Sequence, residues 1–151
     1  MIDNTSNLKV YSKESKEKEK WVIYYIYAKI KGELKAIYIG ITSQLSYIKL
    51  AYNQYIINEY RCMRFNKHKR DLINNTHDNY FLQELFSRGV EFTYKICLDK
   101  IYKSKRDAKR VENIIINNQN DTSYLCNISG LSLIQLENKK KFFNDIVLTS
   151  L

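Results

Sequence analysis

The segment Trp21-Val22-Ile23-Tyr24-Tyr25-Ile26-Tyr27-Ala28-Lys29-Ile30 constrains this chain more than any other, because nearly every residue in it is β-branched or aromatic and no proline occurs anywhere in the sequence. Such side chains suit a pleated, half-buried surface. After Lys31-Gly32-Glu33 a second run of the same kind extends from Ala36 to Thr42. Two β-rich runs around a short glycine-containing break predict a β-hairpin.

Downstream the period changes. Leu45, Ile48, Ala51 (or Tyr52), Tyr55 and Ile56 recur at three and four, which predicts a helix over about 44–61. Further helices are expected over Arg64 to Asn74, and over Tyr80 to Ser87 with Gly89 as the stop. Val90 to Leu98 alternates apolar and polar residues and reads as a third strand. Ser104, with Asp107 three residues on, fits the N-cap of a helix through Ile116. Tyr124 to Ile128 is a short loop or strand, and Leu133 to Ile146 a closing helix. The fold class is α+β: a small three-stranded antiparallel sheet flanked by helices. Residues 1–20 are polar, end in alternating Lys and Glu, and read as a tail or solvated leader. The domain itself spans 21–128, and 129–151 packs on it as a C-terminal helix.

With 151 residues the chain is about one domain. Its 44% hydrophobic and 27% charged content excludes wholesale disorder. No apolar run approaches the ~20 residues of a bilayer crossing, and the N-terminus lacks a basic-then-apolar leader, so an intracellular, cytoplasmic protein without membrane partners is expected. Three cysteines at wide spacings, Cys62, Cys97 and Cys126, form no zinc motif.

Charge points to a partner. Lys and Arg number 25 against 16 Asp and Glu, a formal charge of +9. Most of the excess falls in two patches: Arg61, Arg64, Lys67, Lys69 and Arg70 without an acid, and Lys103, Lys105, Arg106, Lys109 and Arg110 with Asp107 alone. Clustered cations favour a polyanion.

Three residue groups bear on chemistry. Glu112 projects from within the apolar stripe of its helix, between Ala108 and Ile115 and Ile116, where a carboxylate must be paired or hold a cation. Arg64 and His68, four apart, share a helical face and together suit phosphate: the guanidinium grips two oxygens, and the imidazole passes a proton near neutrality. Gly40, near the end of the second strand, marks a close backbone approach or a bulge.

In this order the segments resemble the GIY-YIG nuclease family. Val22-Ile23-Tyr24-Tyr25-Ile26 stands where the family has G-I-Y-x-I, with valine at the first glycine, and Tyr38-Ile39-Gly40 is the second half intact. Arg64-Phe65-Asn66-Lys67-His68-Lys69-Arg70-Asp71-Leu72 matches the family's R-[aromatic]-x-x-H-x-x-x-L helix, Glu112 its helical glutamate, and Leu125-Cys126-Asn127 its closing asparagine motif. Between Gly40 and Arg64 the chain is longer than the family pattern, so the helix expected over 44–61 reads as an insertion.

The resemblance implies DNA phosphodiester hydrolysis with one divalent cation, Mg²⁺ or Mn²⁺, held by Glu112 and water. It implies catalytic roles for Tyr24, Tyr38, Arg64, His68, Glu112 and Asn127. Arg64 binds the phosphate as it gains charge, and Asn127 fixes backbone or substrate. A tyrosine takes the proton from the attacking water, with Tyr24 favoured as base and Tyr38 as its hydrogen-bonding neighbour, and His68 relays that proton. Arg61, Lys67, Lys69, Arg70, Lys105, Arg106 and Lys109 are expected to hold the DNA backbone. A compact stand-alone nuclease, restriction-like or carried by a phage or mobile element, fits this pattern, with the inserted segment as a DNA-reading or homodimer element. The alternative is a nucleic-acid-binding module that keeps the fold without catalysis. A shared site also fixes the hairpin register: the loop must leave an odd number of residues unpaired, such as Lys31-Gly32-Glu33, or carry a bulge, so that Tyr24 lies opposite Gly40 and diagonal to Tyr38.

Overall fold

The computed structural model describes residues 9–18, 20–119 and 122–151. Three strands, β1 (Trp21–Ile30), β2 (Glu33–Thr42) and β5 (Phe92–Tyr102), form an antiparallel sheet in the order β2-β1-β5. The helices are α1 (Lys13–Lys18), α2 (Met63–Ile73), α3 (Tyr80–Ser87), α4 (Lys105–Asn117) and α5 (Leu133–Phe142). The α+β class expected from the sequence is what the chain adopts.

The hairpin register follows from one turn and one bulge. Ile30 pairs with Glu33 across a two-residue turn, Lys31-Gly32. Both turn residues have positive φ, 53° and 82°, as the twist-matched hairpin turn requires. That turn alone would set Tyr24 and Tyr38 on opposite faces. The register shifts instead between Ile26 and Tyr27, whose partners are Tyr38 and Ala36, leaving Ile37 as the extra residue. Tyr24 then lies opposite Gly40, and both signature tyrosines share a face.

Alternation along β1 divides the interior in two. Val22, Tyr24, Ile26, Ala28 and Ile30 pack with Phe65 and Leu72 of α2, with Phe81, Leu82 and Leu85 of α3, and with Phe143 and Val147 beyond α5. Ile23 on the other face meets Ile39, Leu125 and the Val111, Ile115 and Ile116 stripe of α4. A fully buried leucine or phenylalanine contributes about 1.5–3 kcal/mol, so α2 and α3 are held chiefly by this packing.

One expected element differs in kind. Over 44–61 the chain forms a second hairpin, β3 (Leu45–Ala51) and β4 (Gln54–Cys62), instead of the inserted helix. The three-and-four spacing of Leu45, Ile48, Tyr55 and Ile56 coincided with a helical period, but Asn53 turns the chain with a φ of 54°. Tyr47, Ile48 and Lys49 then pair with Ile57, Ile56 and Tyr55, a pattern that β-branched and aromatic residues favour. Upstream, Tyr11 is buried and bridges to Tyr55, with backbone hydrogen bonds in both directions at 2.7 and 2.8 Å, so part of the expected polar tail docks on this hairpin. The rest of the 1–20 segment includes 1–8 and Glu19, which lie outside the described residues. The closing helix is shorter than expected: α5 ends at Phe142, and a single wide π turn, Phe143–Val147, follows. Among the described residues no helix is long and apolar enough to cross a membrane.

Candidate active site

A cleft of about 590 Å³ is lined by Tyr24 of β1, Tyr38 and Gly40 of β2, Arg64, Lys67 and His68 of α2, Lys105, Lys109 and Glu112 of α4, and Asn127. All six residues expected to be catalytic therefore meet in one place. Of the residues expected to hold DNA, Lys67, Lys105 and Lys109 line this cleft, while Arg106 and Lys109 line a second concavity together with Arg110. Arg61, Lys69 and Arg70 are exposed on β4 and α2.

Each side chain is placed by a local device. Gly40 lets the Tyr24 ring lie against the β2 backbone: a Cβ at Gly40 would stand 2.5 Å from Tyr24 Cζ and Oη. The close approach expected at this glycine is thus to a tyrosine of the neighbouring strand. The Tyr24 and Tyr38 ring centroids are 6.2 Å apart, and the His68 ring lies 6.1 Å from the first and 5.3 Å from the second.

Asn127 closes the free edge of β2. Its Oδ1 accepts from the Ile39 N–H at 3.0 Å and its Nδ2 donates to the Ile39 carbonyl at 2.7 Å. The Cys126 N–H donates to the Ile37 carbonyl at 2.6 Å, so two residues imitate an added strand. Of the two expected roles for Asn127, fixing backbone or substrate, its visible contacts serve the first, holding the residue between Tyr38 and Gly40. The Lys139 ammonium of α5 donates to the Leu125 carbonyl and pins the same segment.

Glu112 is 3% exposed, and its Oε1 accepts from Lys109 Nζ at 2.7 Å. The pairing that its position demanded is present, and Lys109, expected on the DNA backbone, is committed to it here. The carboxylate still acts on the cleft, because its charge helps hold the Tyr38 phenol protonated. Among the described residues no three His, Cys, Asp or Glu side chains are grouped to share a metal. The Glu112 carboxylate is a hard oxygen donor, of the kind a hydrated Mg²⁺ takes.

Burial is the main influence on both phenols. It pushes the Tyr24 pKa well above the ordinary tyrosine value, the Tyr38 charge adds to this, and the Arg64 charge opposes it. Tyr38 is likewise raised, by burial and then by Glu112, against Arg64 and Lys109. Arg64 favours ionisation of both.

His77 and Asn79 were not anticipated. His68 Nδ1 lies 2.7 Å from His77 Nε2, and His68 Nε2 lies 2.9 Å from Tyr24 Oη. The Asn79 N–H donates to His77 Nδ1 at 2.9 Å, its Oδ1 caps α3 at Phe81 and Leu82, and its Nδ2 donates to the Cys126 carbonyl at 2.8 Å. An Asn directly before the Tyr80 helix is a recognisable N-cap signal. Comparison with protein-family models, curated proteins and solved structures gives no match.

Proposed function

We propose that this chain is a divalent-metal-dependent DNA endonuclease of the GIY-YIG type, hydrolysing phosphodiester bonds. The observation that carries the reading is the convergence of Tyr24, Tyr38, Arg64, His68, Glu112 and Asn127, from five separate segments, on one cleft rimmed by lysines. A basic cleft attracts the phosphate backbone. Arg64 binds the scissile phosphate with its planar fork and stabilises the charge that accumulates in the transition state. In its phenolate form Tyr24 takes the proton of the attacking water, and Arg64 opposes the burial that would keep the phenol neutral. Glu112 would hold the Mg²⁺ or Mn²⁺, which when bound would supply Lewis acidity to the hydrolysis.

DNA recognition falls to the surfaces around this cleft. Lys67 and Lys105 line it, and Arg61, Lys69, Arg70 and Arg106 extend the positive surface. The β3–β4 hairpin presents exposed Ile48, Leu50 and Tyr52, the last 92% exposed. A two-stranded ribbon fits the major groove, so this element is the proposed reader or, through its apolar tip, a homodimer contact.

A second reading, a catalytically inactive DNA-binding module of the same fold, is favoured by the Lys109–Glu112 ion pair, which already balances the carboxylate. Incubation with supercoiled plasmid and with single-stranded DNA, with Mg²⁺, with Mn²⁺ and with chelator, separates the two. The nuclease reading expects metal-dependent nicking or linearisation, and the binding module expects a mobility shift without cuts.

A further inference from the structure

We propose that His77 is a positioning residue that locks His68 in its Nε2–H form, so that His68 donates a hydrogen bond to Tyr24 Oη and does not accept its proton. The argument starts from a group whose role is fixed. A backbone N–H only donates, and Asn79 N donates to His77 Nδ1 at 2.9 Å. A neutral imidazole carries one proton, so with Nδ1 accepting, the His77 proton sits on Nε2. That N–H faces His68 Nδ1 at 2.7 Å, which must therefore accept. The single proton of neutral His68 is thereby placed on Nε2, 2.9 Å from Tyr24 Oη. Each bond in the chain has one allowed direction, from the Asn79 amide through two rings to the phenol.

The surroundings keep both rings neutral. Burial, with Arg64, His77 and Lys67 adding to it, pushes His68 down to about 3. Burial also lowers His77, against the opposing charges of Asp71 and Asp78. The reverse polarity would require His77 to accept at both nitrogens, which only an imidazolate does.

This arrangement replaces the proton relay expected of His68 with a fixed donor. A phenolate at Tyr24 gains a donor in His68 Nε2–H, in addition to the favourable Arg64 charge. The catalytic consequence rests on the nuclease reading, whereas the tautomer does not. With only two histidines in the chain, the ring nitrogens are directly readable by long-range ¹H–¹⁵N correlation of the full-length protein labelled in histidine.

At pH 7 both wild-type rings are expected neutral, with the proton on Nε2 and Nδ1 bare. His77→Gln carries an amide N–H to about the reach of Nε2, so His68 stays in the Nε2–H form. His77→Asn keeps an acceptor for the Asn79 N–H but falls short of His68, so the Nδ1–H form of His68 becomes populated. Cleavage by His77→Gln is expected to exceed that by His77→Asn at least tenfold in kcat, with KM for DNA changed less than threefold. A wild-type His68 protonated on Nδ1, or a His77→Asn protein whose His68 remains wholly Nε2–H, overturns the proposal. Absence of cleavage by the wild type overturns the nuclease reading and leaves the spectra to decide this one.

Discussion

Tyr24 and Gly40 face each other across β1 and β2, and the phenol occupies the space a Gly40 side chain would need, with Cζ and Oη 2.5 Å from the position of a Cβ. Gly40→Ala is therefore expected to push the Tyr24 ring away from His68 and Arg64. Overpacking of this kind costs about 1–3 kcal/mol. A shift of about 1 Å at a reacting group costs on the order of 100-fold in rate. Thermal denaturation and plasmid cleavage together check this: a folded variant with cleavage reduced about 100-fold is expected, and wild-type cleavage would show that the close approach does not position Tyr24.

Asn127 holds the other side of the same strand. Asn127→Ala removes both partners of the buried Ile39 backbone and is expected to destabilise the chain by about 2–5 kcal/mol, through two unsatisfied groups. Asn127→Asp keeps the acceptor for the Ile39 N–H but sets a carboxylate oxygen against the Ile39 carbonyl, so it recovers little of that loss. Urea titration of the two variants measures the cost.

Much of the fold was legible before any coordinates because several signals agreed. The β1–β2 hairpin had unambiguous side chains, and Ser104 does cap α4, its Oγ accepting from the Asp107 N–H. The register was legible because two tyrosines needed one face, and the bulge at Ile37 supplies it. The 44–61 segment departs from the expected helix because its apolar residues satisfy a helical spacing and a strand alternation alike, and Asn53 takes the turn between the strands. His77 was not legible. Its role depends on the Asn79 N–H and on the 2.7 Å approach to His68 across a turn, neither of which leaves a mark on hydrophobic periodicity.

Acid stability follows from His68. In the folded chain burial, then Arg64, keep this ring neutral down to about 3, whereas an unfolded histidine takes up a proton near pH ~6.5. Below that value the unfolded state binds a proton that the folded state refuses. The stability this ring contributes is present above pH ~6.5 and is lost as pH falls towards 3, by about 2 kcal/mol at pH ~5. His68→Gln should show a shallower fall in unfolding free energy between pH ~7 and ~5, and parallel slopes for the two proteins would place the proton uptake elsewhere.

The exposed cations act through salt-dependent binding. Lys69→Ala and Arg70→Ala are each expected to weaken DNA affinity across sequences and to reduce the slope of log affinity against log salt by about 1. Fluorescence anisotropy over a salt series without metal reads this directly. An unchanged slope would remove α2's outer face from the binding surface.

The central claim is that Glu112, buried to 3% exposure beside Lys109, serves the chemistry and not only an ion pair. Glu112→Gln preserves shape and hydrogen bonding while removing the charge that attracts a divalent cation. Plasmid cleavage in Mg²⁺ is the most direct measurement, paired with DNA affinity in chelator. A fall in cleavage of at least 100-fold with affinity unchanged or tighter is the predicted result, and cleavage by Glu112→Gln at the wild-type rate would contradict it.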